Sequence, residues 1–203
     1  MIIVQLGANK GNDKLTEFVN NNHTIIDKLI LVEPIPFHID DLKKCYSHLG
    51  GKVIIENVAI KLPNNIDNEM ILYYHVDDQP KYEVASFDYF HVFKHYGTSI
   101  NTKTFEGLIK HIAVPTMTLN ELLIKHEIRN LDWLLIDIEG LDGDVIETFD
   151  WGNYNIKRIE SLTSQIHKTN EESKGIEFNN YLNELRKGIK LQGEVNGDRK
   201  SVV

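Results

Sequence analysis

The sequence predicts an α/β fold: a mostly parallel, twisted sheet with helices on both faces and an antiparallel strand near the C-terminal end. Two patterns carry this prediction. Over the first 60 residues, apolar strand-like runs alternate with helical segments, an order that calls for right-handed crossovers between parallel strands. The runs are also apolar on both faces, as in a sheet covered by helices on each side. A third observation marks the ligand end of the sheet. The first run, Ile2-Ile3-Val4-Gln5-Leu6, passes directly into a glycine turn, Gly7-Ala8-Asn9-Lys10-Gly11, and a helix start.

The elements follow in order. Asn12-Asp13 can cap a helix that begins Lys14-Leu15-Thr16-Glu17-Phe18-Val19. Residues 28–34 read as the second strand, ending at Glu33, and Pro34 and Pro36 delay the next helix, placed at 37–49 and stopped by Gly50-Gly51. Residues 52–60 read as the third strand. A polar loop at 62–67, a further strand at 70–76, a loop at 77–80 and a helix within 84–96 come next, then a strand at 109–117. Thr118-Leu119-Asn120-Glu121 has the capping-box form and opens a short helix to Glu127. The run 131–140 is a buried-type strand ending in two carboxylates, Asp137 and Glu139. A helix at 141–149, a fifth strand within 156–166, a helix at 178–187 and two short strands around the hairpin signal Asn196-Gly197 complete the reading.

Bulk properties bound the class. A chain of 203 residues with no linker or repeat suits one domain, 1–203. A net charge of −8 argues against a nucleic-acid backbone as the main partner. Cys45 is the single cysteine, which excludes an internal disulfide and a cysteine-rich zinc site and fits a reducing compartment. No run approaches the roughly 18 apolar residues of a membrane span, and no basic-then-apolar leader opens the chain, so a cytoplasmic protein away from the membrane is expected.

In an open parallel sheet, ligands bind beyond the carboxyl ends of the strands, where strand order reverses. If the first strand lies at that reversal, its neighbours are the second and fourth main strands, which end in Glu33 and Asp137. The glycine turn allows close approach, and N–H groups at a helix start favour an anion. Such a turn suits nucleotides and other adenosyl cofactors alike. The dinucleotide spacing G-x-G-x-x-G is absent, because Asn9 stands where its second glycine belongs, and so is the phosphate-loop pattern. A carboxylate at Glu33 can accept both hydroxyls of a ribose, Asn57 and its neighbours lie toward an adenine edge, and Asp137 and Glu139 face the reacting end.

Five motifs, in order across about two-thirds of the chain, resemble the FkbM family of S-adenosylmethionine-dependent methyltransferases. They are Val4-Gln5-Leu6-Gly7-Ala8-Asn9-Lys10-Gly11, Glu33-Pro34, Asn57-Val58-Ala59-Ile60, Thr118-Leu119-Asn120-Glu121-Leu122-Leu123 and Ile136-Asp137-Ile138-Glu139-Gly140. The resemblance implies a Rossmann-like class I methyltransferase fold. It implies methyl transfer from S-adenosyl-L-methionine, usually to a hydroxyl of a sugar or another small metabolite. It implies cofactor contacts at Gln5, Gly7, Ala8, Asn9, Gly11, Glu33, Pro34, Asn57, Ala59 and Asp137. Asp137 is then the leading catalytic candidate, with Glu139 and His167 behind it. Ser86, in Val84-Ala85-Ser86-Phe87, is a candidate for substrate contact or for a structural cap. Two departures stand out. Gln5 replaces the family's first-strand acid, and the family's fifth-strand acid corresponds to either Glu160 or Gln165.

Other readings have less support in the sequence. Asp137 and Glu139 are hard donors suited to Mg²⁺, and His91 and His95 are spaced i, i+4 as metal ligands are, but neither pair has a third ligand motif, so no metal is expected. A nucleic-acid methyltransferase is disfavoured by the charge and by Asp137-Ile138-Glu139-Gly140 standing where [DNS]-P-P-[YFW] would be. A cofactor-binding or interaction module without turnover is the remaining alternative, motivated by Gln5.

Overall fold

The computed structural model describes residues 1–78, 82, 84–96, 106–138 and 141–161. The chain runs β1 (Ile2–Leu6), α1 (Lys14–Asn22), β2 (Lys28–Val32), α2 (Ile39–Cys45), β3 (Val53–Glu56) and β4 (Ala59–Ile60). It continues β5 (Glu69–His75), α3 (Tyr89–Tyr96), β6 (Ile109–Met117), α4 (Leu119–Lys125), β7 (Asn130–Leu131) and β8 (Trp133–Ile136). Then come α5 (Asp142–Thr148), β9 (Asn155–Ile156) and β10 (Ile159–Ser161).

The main sheet has the order β10-β8-β1-β2-β3, and every pairing in it is parallel. β1 therefore sits between β2 and β8, at the reversal of strand order that the sequence predicts. Side-chain alternation sorts the two faces. Ile3, Leu29, Leu31 and Trp133 pack against Leu15 and Val19 of α1 and Leu42 of α2. Val4, Leu6, Ile30, Val32, Leu134 and Ile136 pack against Leu119, Leu122 and Leu123 of α4 and Val145 and Ile146 of α5. Helices thus cover both faces, and the fold is the Rossmann-like α/β arrangement expected.

Two apolar runs break where they read as continuous. The predicted third strand, 52–60, divides at Asn57-Val58: β3 stays in the main sheet, while β4 pairs in parallel with β6 in a second sheet of order β4-β6-β5. At the break the Asn57 side-chain amide donates to the carbonyls of Glu33 (2.7 Å) and Pro34 (3.1 Å), which pins the end of β3 to the end of β2. The run 131–140 divides at Asp132, whose Oδ2 accepts the N–H of Ile2 at 2.8 Å while its own N–H donates to the Ile2 carbonyl at 3.0 Å. β7 then pairs with β9, and β8 with β1. The fifth strand likewise arrives in two pieces, β9 and β10.

The helix expected at 37–49 is α-helical only over Ile39–Cys45, with 3-10 turns at Pro36–His38 and Ser47–Lys52. Two caps are as expected. Asp13 accepts the Thr16 N–H at 3.0 Å, and Thr118 and Glu121 form a reciprocal capping box. The predicted helix at 178–187, the hairpin around Asn196-Gly197 and the antiparallel strand lie outside the described residues. Among the described residues no helix is long and apolar enough to cross a membrane.

Asp132 gives a pH-dependent prediction. The Lys157 ammonium, at 2.6 Å, and the Ile2 N–H hold its carboxyl below the usual carboxylate range. A depressed folded-state value means the stabilisation is full above the unfolded value and is lost as pH falls through the folded one. Asp132→Asn should cost about 1 kcal/mol at pH 7, because one charged partner in a half-exposed network is lost. The difference should shrink in urea melts as pH falls below the usual carboxylate range, because the carboxyl becomes protonated in the folded state as well.

Candidate active site

A cavity of about 450 Å³ opens at the carboxyl ends of β1, β2 and β8. That is within the range of small-molecule sites, roughly 300–1,000 Å³. The main sheet supplies one wall through Gly7, Asn9, Glu33, Pro34 and Asp137. The second sheet and the segment leading into α3 supply the other, through Ala59, Met70, Leu72, Ser86, Asp88 and His91.

The glycine turn is shaped by contact. Gly7 has φ +77°, and a Cβ there would stand 1.8 Å from the Asp137 carbonyl oxygen. Only glycine lets β8 pass this close. Asn9 is also left-handed, with φ 46°, a region that asparagine tolerates better than most residues. Gly11 abuts α2, where a Cβ would meet the Tyr46 ring at 2.9 Å.

The N–H groups of the turn itself are already engaged. The N–H groups of Gly7 and Ala8 donate to the Val32 carbonyl, and that of Gly11 donates to the Ala8 carbonyl. Those of Asn9 and Lys10 donate to Glu33 Oε2 (2.7 Å) and Asn9 Oδ1 (2.8 Å). All five are satisfied within the protein, so the turn offers shape.

Glu33 is 3% exposed. Its Oε2 accepts the Asn9 N–H, and its Oε1 accepts the Ile35 N–H at 2.9 Å. Each oxygen keeps a second lone pair, so a fixed carboxylate with two remaining acceptor positions lines the cavity. Behind it, fully buried His38 stands with Nδ1 3.6 Å from Oε1 and edge-on to Tyr82. Asn57 does not line the cavity; its amide braces the backbone of Glu33 and Pro34.

Gln5 also lies away from the cavity, on the α1 face, where Nε2 donates to Asp13 Oδ2 at 2.6 Å. A carboxylate at position 5 would confront Asp13, so the departure at Gln5 is matched by the cap it serves. Ala8 is buried against the α1 and α2 core, and Gly11 faces α2; neither lines the cavity.

At the other end, the Asp137 N–H donates to the Leu6 carbonyl at 2.9 Å, fixing the end of β8 beside the turn. Asp137 lines the cavity. Glu139 and His167 lie outside the described residues. Asp142 is a buried acid that sequence reasoning missed: its Oδ1 accepts the Ser161 hydroxyl at 3.0 Å, which ties the start of α5 to the end of β10. Its place just after the strand-end acids, at a helix start, was the available signal.

On the far wall, Ser86 bridges to Tyr73 through the backbone, and its Oγ accepts the Asp88 N–H at 3.1 Å. Asp88 Oδ1 in turn accepts the Phe90 N–H at 2.8 Å, so both side chains cap α3. Among the described residues, no group of three or more His, Cys, Asp or Glu side chains is arranged to hold a metal ion.

The family described as the Methyltransferase FkbM domain matches residues 5–191. The chain belongs to the FkbM methyltransferase family. No curated protein and no solved structure matches it significantly. As an FkbM methyltransferase, the protein needs a methyl donor and an acceptor, and the two-walled cavity lies where the family's motif residues Gly7, Glu33 and Asp137 converge.

Proposed function

We propose that this FkbM methyltransferase transfers the methyl group of S-adenosyl-L-methionine to a hydroxyl oxygen of a small acceptor, such as a sugar. The observation that carries the donor assignment is Glu33, a buried carboxylate held by two backbone N–H groups with its spare acceptor positions in the cavity. That arrangement suits a vicinal ribose diol. The charged side chains lining the cavity among the described residues, Glu33, Asp88 and Asp137, are all acidic, which favours a cationic donor. The hydroxyl class of acceptor rests on the family resemblance. The reading of the whole chain as one cytoplasmic domain with neither nucleic acid nor membrane as partner rests on its length, its net charge of −8, its single cysteine and its lack of long apolar runs.

The donor, when bound, supplies an activated methyl on a sulfonium with a good leaving group. The chain has to bind it through Glu33 and the Gly7 turn, exclude water, and hold an acceptor oxygen in line. Positioning of this kind contributes roughly 7–11 kcal/mol in well-oriented systems. Asp137, next to the turn on the same wall, is assigned to the reacting end, where it orients the acceptor.

Calorimetric titration with S-adenosylmethionine, S-adenosylhomocysteine and NAD tests the donor. Micromolar binding of the first two and none of NAD is expected. A folded sample free of co-purified ligand that binds neither adenosyl compound would overturn the assignment.

A further inference from the structure

The cavity holds one chemically suited group that the reading above leaves unused. His91, in the first turn of α3, is half-buried and lines the same cavity as Glu33 and Asp137. Its helix is fixed from behind: Val92 is fully buried, and Tyr89 and Phe93 pack with it against β5 and β6. Ser86 and Asp88 hold the turn that leads into the helix. His91 is thus presented to the cavity by a braced element.

Resting on the methyl-donor reading, we infer that His91 is the proton acceptor of the reaction, with Asp137 left to orient and to offset charge. The argument is a comparison of bases. A carboxylate facing a sulfonium is held ionised by the adjacent positive charge and is a weak base. An imidazole has its ordinary pKa, about 6.5, near the operating pH, where general-base catalysis is most effective. His91 lines the same cavity as Glu33 and Asp137, so an acceptor bound beside the donor can reach the imidazole.

The acceptor oxygen forms a C–O bond to the methyl carbon as the C–S bond breaks, and that bonding pair leaves on sulfur, giving a neutral thioether. The hydroxyl proton passes to the ring nitrogen of His91, and the imidazolium later releases it to water. Among the described residues, the titratable groups that share the cavity with His91 are Glu33, Tyr82, Asp88 and Asp137, and the His95 ring centroid is 4.8 Å away.

The test needs no acceptor. Histidine resonances of the full chain are assigned by triple-resonance NMR and titrated in two complexes, with S-adenosylhomocysteine and with sinefungin, whose amine puts a positive charge where the methyl would be. The His91 pKa should be lower in the sinefungin complex by about half a pH unit or more, and that of exposed His95 should move less. Equal His91 values in the two complexes would overturn the proposal. Failure of both compounds to bind would remove the donor reading, and the His91 role with it. Methyl glycosides are the first acceptor probes. With any that turns over, His91→Gln should lower kcat about 100-fold while the S-adenosylhomocysteine Kd stays within about twofold. Unchanged kcat would also refute the role.

Discussion

Gly7→Ala should unfold the site and lower overall stability by more than backbone strain explains. Left-handed backbone costs a non-glycine residue about 1–2 kcal/mol. At Gly7 the new Cβ would also fall 1.8 Å from the Asp137 carbonyl oxygen, so β8 must move away from β1. That displaces Asp137 and strains the Asp137 N–H to Leu6 hydrogen bond of 2.9 Å. Gly50 provides an internal control, because it has φ +58° and nothing within 4 Å of its Cβ position. Gly50→Ala should therefore show backbone strain alone, about 1–3 kcal/mol at its φ 58°, ψ −134°, and leave adenosyl binding intact. Gly7→Ala should lose more stability and lose binding of S-adenosylhomocysteine. Equal losses in the two variants would mean that β8 yields without consequence.

Glu33→Gln should weaken S-adenosylhomocysteine binding about 100-fold. The carboxylate accepts from Asn9 and Ile35 at 2.7 and 2.9 Å, and both partners are backbone donors. An amide in its place must set its NH₂ against one of them. Hydrogen bonds to a charged group contribute about 1.5–3 kcal/mol each, and 1.4 kcal/mol is tenfold in affinity. Loss of the charged acceptor and rotation of the turn act together. A calorimetric Kd within threefold of the natural protein's would take the ribose role away from Glu33.

What could be read in advance was set by chemistry carried in contiguous residues. β1, β2 and β8 are short runs of Ile, Leu and Val buried on both faces, so their type and their neighbours followed from composition and order. The breaks at Asn57 and Asp132 did not. A single polar side chain inside an apolar run looks like a tolerated exception until its hydrogen-bond partners, Glu33 and Pro34 in one case and Ile2 in the other, are brought alongside by folding. The same holds within the site. Glu33 and Gly7 were visible because strand ends and glycine turns mark the ligand side of a parallel sheet. The far wall was legible only at Ser86, since Asp88 and His91 owe their position in the cavity to β5 and β6 pairing over Glu69–Pro115, a long-range register that no local pattern encodes. Gln5 looked like a lost ligand because its partner, Asp13, had been read only as a helix cap.

The order of the strands also sets a timetable. β1 is made first but is flanked by β8, and the Ile2 to Asp132 bonds span 130 residues of chain. At synthesis rates of about 5–20 residues per second, the central strand waits roughly 7–26 seconds for its second neighbour. Until then one apolar edge of β1 stays unpaired, and the turn at Gly7 lacks the carbonyl that shapes it. The ligand site is consequently among the last features a nascent chain can complete, so the donor cannot template early folding, and chaperones that shield strand edges have their main opportunity before β8 emerges.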